Sequence, residues 1–201
     1  MTHPTLHDAA SLQPSADLAT ARAAIETALP GDTSHEAART EMLAFLDVHD
    51  DALHRSCPEG HLTGSALVVD PASRNMLLLF HAKVQRWLQP GGHADGDGNL
   101  AHVAWREAEE ETGIRALRVV TPAIDLDVHR FHAANGREPD HLHLDVRHLV
   151  LAPPGSVGVA NHESEGMAWV SLEELERYDV DVGTIRMARA GLGLIDRLSS
   201  S

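Results

Sequence analysis

The chain has 201 residues, of which 43% are hydrophobic and 23% charged, and this suits one globular domain, alone or with an appendage. Its formal net charge of −14 argues against a nucleic-acid polymer or an anionic membrane as the main partner. The single cysteine, Cys57, excludes an internal disulfide, and no apolar run has spanning length, so we expect a cytoplasmic protein.

The N-terminal quarter of the chain predicts helices. Residues 1–15 lack periodicity, and we expect a flexible arm. Residues 16–56 are predicted to form a helical extension, with amphipathic helices over 16–29 and 34–54. Thr33 stands three residues before Glu36, in the spacing of a capping box for the second helix.

From residue 57 onward the patterns of strands and helices are mixed. Apolar runs over 62–69 and 76–80 are separated by a turn and predict paired strands. Further strands are predicted over 116–120, 124–131, 141–151 and 168–170. The strand at 141–151 alternates apolar and polar residues, which indicates one buried and one polar face. Helices are predicted from Ser171 to Glu176 and over 184–198.

The most informative stretch is a glycine turn, residues 90–93, followed by a helix rich in carboxylates. On an ideal helix Glu107, Glu110 and Glu111 lie within an arc of about 100°, while Glu109 points away. Like charges at these spacings repel one another, so this face is either solvated or bound to a cation. Carboxylate oxygens suit a hard divalent ion such as Mg²⁺ or Mn²⁺.

This stretch resembles the Nudix box, Gly-x5-Glu-x7-Arg-Glu-U-x-Glu-Glu-x-Gly-U, in which U is a bulky aliphatic residue. Two positions depart from the pattern: Gly98 stands where the first glutamate is expected, and Ala108 where the first U is expected. Asp97 is the adjacent carboxylate that can partly substitute. The matching residues are Gly92, Arg106, Glu107, Glu110, Glu111, Gly113 and Ile114.

The resemblance implies an α/β/α sandwich with a mixed sheet, carried by a catalytic domain over residues 57–201 behind the N-terminal helical extension. It also implies a metal-dependent hydrolase, with Mg²⁺ or Mn²⁺, acting on a phosphoanhydride in a small-molecule substrate. The substrate class is a nucleoside diphosphate linked to another group: an ADP-ribose-like compound, another nucleoside diphosphate sugar or a nucleoside polyphosphate. Homodimer formation stays open.

Roles for individual residues follow from the same resemblance. Arg106 is expected to orient a box glutamate. The general base is expected to be Glu110, Glu163 or Glu165, and the motif does not choose among them. Lys83, Arg86 and His93 flank the glycine turn and are candidate substrate-binding residues. The expected metal ligands are the carboxylates of Glu107, Glu110 and Glu111 and the backbone carbonyl of Gly91.

Three alternatives belong to other functional classes. A Nudix-fold sensor would bind a nucleotide without cleaving it, although such domains usually lose box glutamates. An isoprenoid-diphosphate isomerase would need a catalytic group such as Cys57 facing the substrate. A zinc-binding protein would use the clustered histidines, which could equally contact substrate or form a polar face; these are His129, His132, His141 and His143.

Overall fold

The computed structural model describes residues 3–132, 139–159, 161 and 164–199. Two 3₁₀ helices, Ala9–Ser11 and Leu172–Tyr178, accompany the main elements. No helix in the described ranges is both long and apolar enough to cross a membrane. The main elements are β1 (Thr5–His7), α1 (Leu18–Thr27), α2 (Thr33–Leu46), β2 (Gly60–Val69), β3 (Met76–His81), β4 (Arg86–Leu88), β5 (Gly91–His93), α3 (Leu100–Thr112), β6 (Arg118–Phe131), β7 (His141–Leu151), β8 (Ser164–Val170) and α4 (Val182–Ser199).

The strands form one mixed sheet in the order β1-β6-β7-β2-β3-β4, with β5 paired to β2 and β8 paired to β3. Strands β2 and β7 run parallel over their whole length, from Gly60 opposite Leu142 to Val69 opposite Leu151. The other pairs are antiparallel. Strand β2 therefore lies at the centre and meets β7, β3 and β5.

Helices cover both faces of this sheet. Alternate residues of β2 point to opposite faces. Ala66 and Val68 pack against the α3 side, whereas Leu67 and Val69 pack in a cluster with Met187 of α4. The helices α1 and α2 join the α3 side, in a cluster that includes Ile25, Met42, Leu62, Leu100 and Val103. The predicted α/β/α sandwich with an N-terminal helical extension is confirmed.

The N-terminal residues differ from the flexible arm that we expected. Thr5–His7 pairs with β6, and Leu12 is buried in the cluster beneath α3. The backbone N–H of Ser15 donates to Asp97 Oδ1 at 2.9 Å. These contacts bind the described part of the arm to the sheet and to the start of α3, and the sequence showed no periodic signal for them.

For other elements the structure differs from the prediction in bounds, capping or burial. Strand β6 is continuous where two strands were predicted, with a register irregularity between Val120 and Asp125. Helix α2 ends at Leu46 instead of 54, and Asp32, not Thr33, caps it by accepting the N–H groups of Ser34 and His35. The predicted polar face of β7 is largely buried, and Asp145 and Arg147 of that face form an ion pair at 2.7 Å.

Candidate active site

Helix α3 is fixed at both ends and along one face. Asn99 caps its start by accepting the N–H of His102 at 3.3 Å, and Gly113 ends it in the left-handed conformation, with φ of 65°. Its buried face includes Val103, Ala104 and Ala108. Ala108 is fully buried against the sheet, and Glu111 lies on the same buried face.

Two box glutamates lie directly against the glycine turn. Glu111 is buried, and its Oε2 accepts the backbone N–H of Gly91 at 3.0 Å. A Cβ placed on Gly92 would lie 2.5 Å from the Glu107 Cδ and 2.7 Å from either of its oxygens. Gly92 is therefore required for the close approach of strand β5 and the Glu107 carboxylate.

Arg106 holds Glu107 against strand β5. Its Nη2 donates both to Glu107 Oε1 at 2.7 Å and to the backbone carbonyl of His93 at 3.0 Å. Burial raises the pKa of Glu107, and the neighbouring Arg106 charge offsets part of that rise. Through these contacts Arg106 joins the Glu107 carboxylate to the backbone of β5.

The next two glutamates of α3 have different surroundings. Glu109 points away from the glycine turn and pairs with Arg115, with 3.1 Å between Oε2 and Nη1. Glu110 is exposed, and among the described residues its carboxylate has no hydrogen-bond or ion-pair partner. Asn161, between β7 and β8, reaches the Glu110 backbone carbonyl at 3.5 Å, so Asn161 lies beside the end of α3.

The departure at Gly98 has a steric cause. A Cβ on Gly98 would overlap the backbone carbonyl of Asp17 and lie 3.3 Å from that of Ser15. Asp97 does not enter the carboxylate face of α3. Its oxygens accept the N–H of Ser15 and contact His102 Nδ1 at 2.6 Å, so it fastens the N-terminal arm to the helix start.

The remaining predicted site residues have mixed outcomes. Glu163 lies outside the described residues. Glu165 is exposed on β8 and accepts from Gln85 Nε2 at 3.3 Å. Lys83 and Arg86 are exposed, before and on β4, and Arg86 donates to the Asp179 carbonyl at 3.4 Å. The described contacts do not bring these three side chains to the box glutamates.

Cys57 shows no feature of a reactive thiol. It is 1% exposed, and burial raises its pKa. Its Sγ lies 3.7 Å from His49 Nδ1. Those contacts give no support to the isomerase alternative.

His93 belongs to a histidine cluster that the sequence could not assemble. Its ring lies 4.8 Å from that of His61 and 5.1 Å from that of His143, measured between centroids. Burial first, then neighbouring charges, lower the pKa of His93 to about 4 and that of His143 to about 2. Both rings are neutral near pH 7.

A buried charge network adjoins this cluster on the same face of the sheet. Arg147 is 2% exposed and pairs with Asp125, Asp127 and Asp145 at 2.7–3.1 Å. Arg186 of α4 reaches Asp125 and Asp127 at 2.8–2.9 Å. Burial alone would raise the pKa of Asp127, but hydrogen bonding to His129 and the arginine charges lower it well below its usual range. The network fixes α4 to β6 and β7.

Comparison with models of protein families identifies the family of this chain. The NUDIX domain model matches residues 61–190. The chain belongs to the NUDIX domain family. The match spans the sheet from β2 to β8 and the whole box helix, and the prediction of a Nudix pyrophosphohydrolase is thereby confirmed.

Solved structures with the same fold are distant in sequence. An Ap4A hydrolase from C. elegans, in a binary complex, has a TM-score of 0.56 and 16% identity, covering 68% of this chain and 98% of that one. The E. coli dihydroneopterin triphosphate pyrophosphohydrolase has a TM-score of 0.52 and 12% identity, covering 64% and 92%. At this identity the likeness concerns the fold alone. No protein with a curated description matches the sequence.

The donor set at the glycine turn fits a hard divalent cation. Three carboxylates belong to one helix: Glu107 and Glu111 lie against the glycine turn, and Glu110, one position along from Glu111, is exposed. The glycine at position 92 leaves the Glu107 oxygens pressed against backbone, where a side chain would exclude an ion. Oxygen-rich sites of this kind suit Mg²⁺ and Mn²⁺.

Proposed function

We propose that this Nudix protein hydrolyses a phosphoanhydride bond of a nucleoside diphosphate linked to another group, with Mg²⁺ or Mn²⁺ bound by its box carboxylates. The observation that carries the proposal is the contact of Glu107 and Glu111 with the Gly91–Gly92 backbone, beside the exposed carboxylate of Glu110. A sensor that binds without cleaving would have no need of all three carboxylates.

Glu107, Glu110 and Glu111 would hold the cation, with the Gly91 carbonyl as an additional oxygen. When bound, the ion screens the phosphate oxygens and favours the deprotonation of water. Arg106 keeps Glu107 in place through its Nη2, which also holds the His93 carbonyl. The Gly91 N–H orients Glu111 in the same way. These contacts set the carboxylates before substrate arrives.

Glu110 is the general base that we favour among the described residues. Glu107 is engaged by Arg106, and Glu111 by the Gly91 N–H, so each has an oxygen already committed. The exposed Glu110 carboxylate can reach a water molecule and accept its proton. Glu163, outside the described residues, and Glu165 of β8 remain the alternative bases.

The proposal names a class of substrates and not a single compound. Two relatives of the same fold are named for Ap4A and dihydroneopterin triphosphate, both polyphosphate compounds. An ADP-ribose-like compound, another nucleoside diphosphate sugar and a nucleoside polyphosphate all offer the same anhydride. The exposed cations Lys83 and Arg86, together with His93, are proposed to contact the substrate.

The test is product release from a panel of nucleoside diphosphate derivatives and nucleoside polyphosphates, with Mg²⁺ or Mn²⁺ supplied in turn. Glu110→Gln and Glu111→Gln are assayed beside the wild type. We expect one class to be cleaved, with loss of most of that rate in both variants. A folded protein that binds the metal and cleaves no member of the panel would contradict the proposal.

A further inference from the structure

Three histidines from three strands converge on the face of the sheet opposite the box helix. Gly92 faces Glu107 of α3, so its neighbour His93 points to the other side of β5. His61 shares a face of β2 with Leu67, which packs with α4. His143 lies directly opposite His61 in the parallel pairing of β2 and β7.

The three rings form a nearly equilateral group. Their centroids are 4.8 Å apart for His61 and His93, and 5.1 Å apart for each of the two pairs with His143. One ring nitrogen from each residue lies within 4.8 Å of the other two. The nitrogens of a tetrahedral zinc site stand about 3.4 Å apart, so small ring rotations would bring these into ligating positions.

A fourth histidine supports the group from outside. His141 Nδ1 lies 2.9 Å from the Pro139 carbonyl, and its Nε2 lies 3.2 Å from His143 Nε2. With Nδ1 donating to that carbonyl, His141 Nε2 can accept from His143 Nε2 and so orient the His143 ring, the role that carboxylates, backbone carbonyls and water usually have around metal-ligating histidines. The donors are also nitrogens, whereas the box site offers oxygens, so the two sites favour different ions.

We propose that His61, His93 and His143 form a three-histidine site for a borderline divalent transition ion such as Zn²⁺, separate from the carboxylate site of the box. Three protein ligands leave a fourth position for water or an anion. An ion bound there ties β5 to β2 and β7, and so steadies the Gly91–Gly92 turn that the box glutamates contact. The inference stands whether or not the proposed substrate class is correct.

The test measures zinc retained by untagged protein that has been stripped with a chelator and dialysed against Zn²⁺ in a large excess of Mg²⁺. We expect one equivalent of Zn²⁺ per chain, with a melting temperature that rises with free Zn²⁺. His93→Gln and His143→Gln should each weaken zinc binding at least about 100-fold, more than loss of an outer partner costs. Circular dichroism of the metal-free variants checks that they fold.

Matched controls separate this site from the other candidates. His132→Gln removes an exposed histidine paired with Asp140 and should leave zinc binding unchanged. Cys57→Ser disables the second cluster of metal-ligating groups, formed with His49 and Asp51, and should also leave it unchanged. Glu111→Gln should retain the zinc because the box carboxylates are not its ligands.

A second readout keeps the proposal falsifiable if either variant fails to fold. Co²⁺ substituted for Zn²⁺ should give the visible absorption of a tetrahedral nitrogen-ligated complex in the wild type and in Cys57→Ser. The proposal is overturned if that spectrum is absent, if Mg²⁺ displaces the zinc, or if the zinc is lost in Cys57→Ser or Glu111→Gln and kept in a folded His143→Gln.

Discussion

At position 98 the backbone leaves no room for the glutamate that the box pattern expects. The carbonyl of Asp17 occupies the space that a Cβ would take, and the Gly98 N–H donates to the Ser15 carbonyl at 2.5 Å. The missing carboxylate is thus linked to the N-terminal arm, which crosses the chain just before α3.

Restoring that glutamate should harm the protein. Gly98→Glu must displace the Asp17 backbone, and we expect a loss of about 1–3 kcal/mol in the free energy of unfolding, as for other overpacked sites. Chemical denaturation measures it. Gly193→Glu is the control and should lose nothing, since among the described residues only Arg197 comes within 4 Å of a Cβ at that position, at 3.8 Å. Unchanged stability in Gly98→Glu would show that the arm does not exclude a side chain there.

Single residues of the site were predictable where helix geometry alone relates them. The spacing of Glu107, Glu110 and Glu111 predicts one shared face, with Glu109 on another. In the structure Glu107 and Glu111 lie against the glycine turn and Glu109 pairs with Arg115. The position of Asp97 was not predictable, because its partner Ser15 lies 82 residues away in the chain. The proximity of His61 to His93 and His143 was also not predictable, because it depends on the register of the paired strands.

At the scale of elements, helix α4 shows what a sequence pattern leaves undecided. Two glycines, Gly191 and Gly193, lie within the helix that the sequence predicts over 184–198, and the structure gives them different surroundings. Gly191 packs so closely on Leu67 that a Cβ would overlap it and would lie 3.1 Å from Ile124 Cδ1. Gly193 has room for a side chain.

Alanine substitutions at these two positions should therefore change stability in opposite directions. Gly191→Ala should lower the free energy of unfolding by about 1–3 kcal/mol, because the core around Leu67 must move. Gly193→Ala should raise it by up to about 1 kcal/mol, the helix propensity difference. Urea denaturation of both variants and of the wild type measures these changes in the free energy of unfolding. Equal shifts of the same sign would contradict the packing of α4 on β2.

The long elements were predictable and their continuity was not. Apolar periodicity located β2, β3 and β7 within two residues, because their cores are buried on the faces that the pattern indicates. Strand β6 was divided in the prediction because Thr121 and Pro122 interrupt its apolar run. In the structure β1 pairs with Thr121, and β7 pairs with β6 on both sides of the irregularity, so β6 continues as one strand.

For the molecule as a whole, buried ionisable groups determine how stability responds to pH. His148 is 1% exposed on β7, and burial lowers its pKa to about 4 from the ordinary 6.5. The unfolded chain therefore binds more protons than the folded one between pH 6.5 and about 4. Stability falls as the pH is lowered through that window, by up to about 1.4 kcal/mol per pH unit from this residue.

His148→Leu should remove that contribution. We expect the free energy of unfolding to fall less steeply between pH 6.5 and 4.5 in the variant than in the wild type, whatever the variant's stability at pH 7. Denaturation series at several pH values give the two slopes. Identical slopes would mean that His148 is protonated in the folded protein.

The central claim concerns the charged face of α3, and neighbouring residues of that helix test it most directly. The measurement is kcat/KM of Glu110→Gln and Glu109→Gln on the substrate that the panel identifies. We predict a loss of at least about 100-fold for Glu110→Gln, within the range of an acid–base group, and less than about 2-fold for Glu109→Gln, which pairs with Arg115 away from the glycine turn. Equal losses in both variants, or none in Glu110→Gln, would contradict the assignment of the active site.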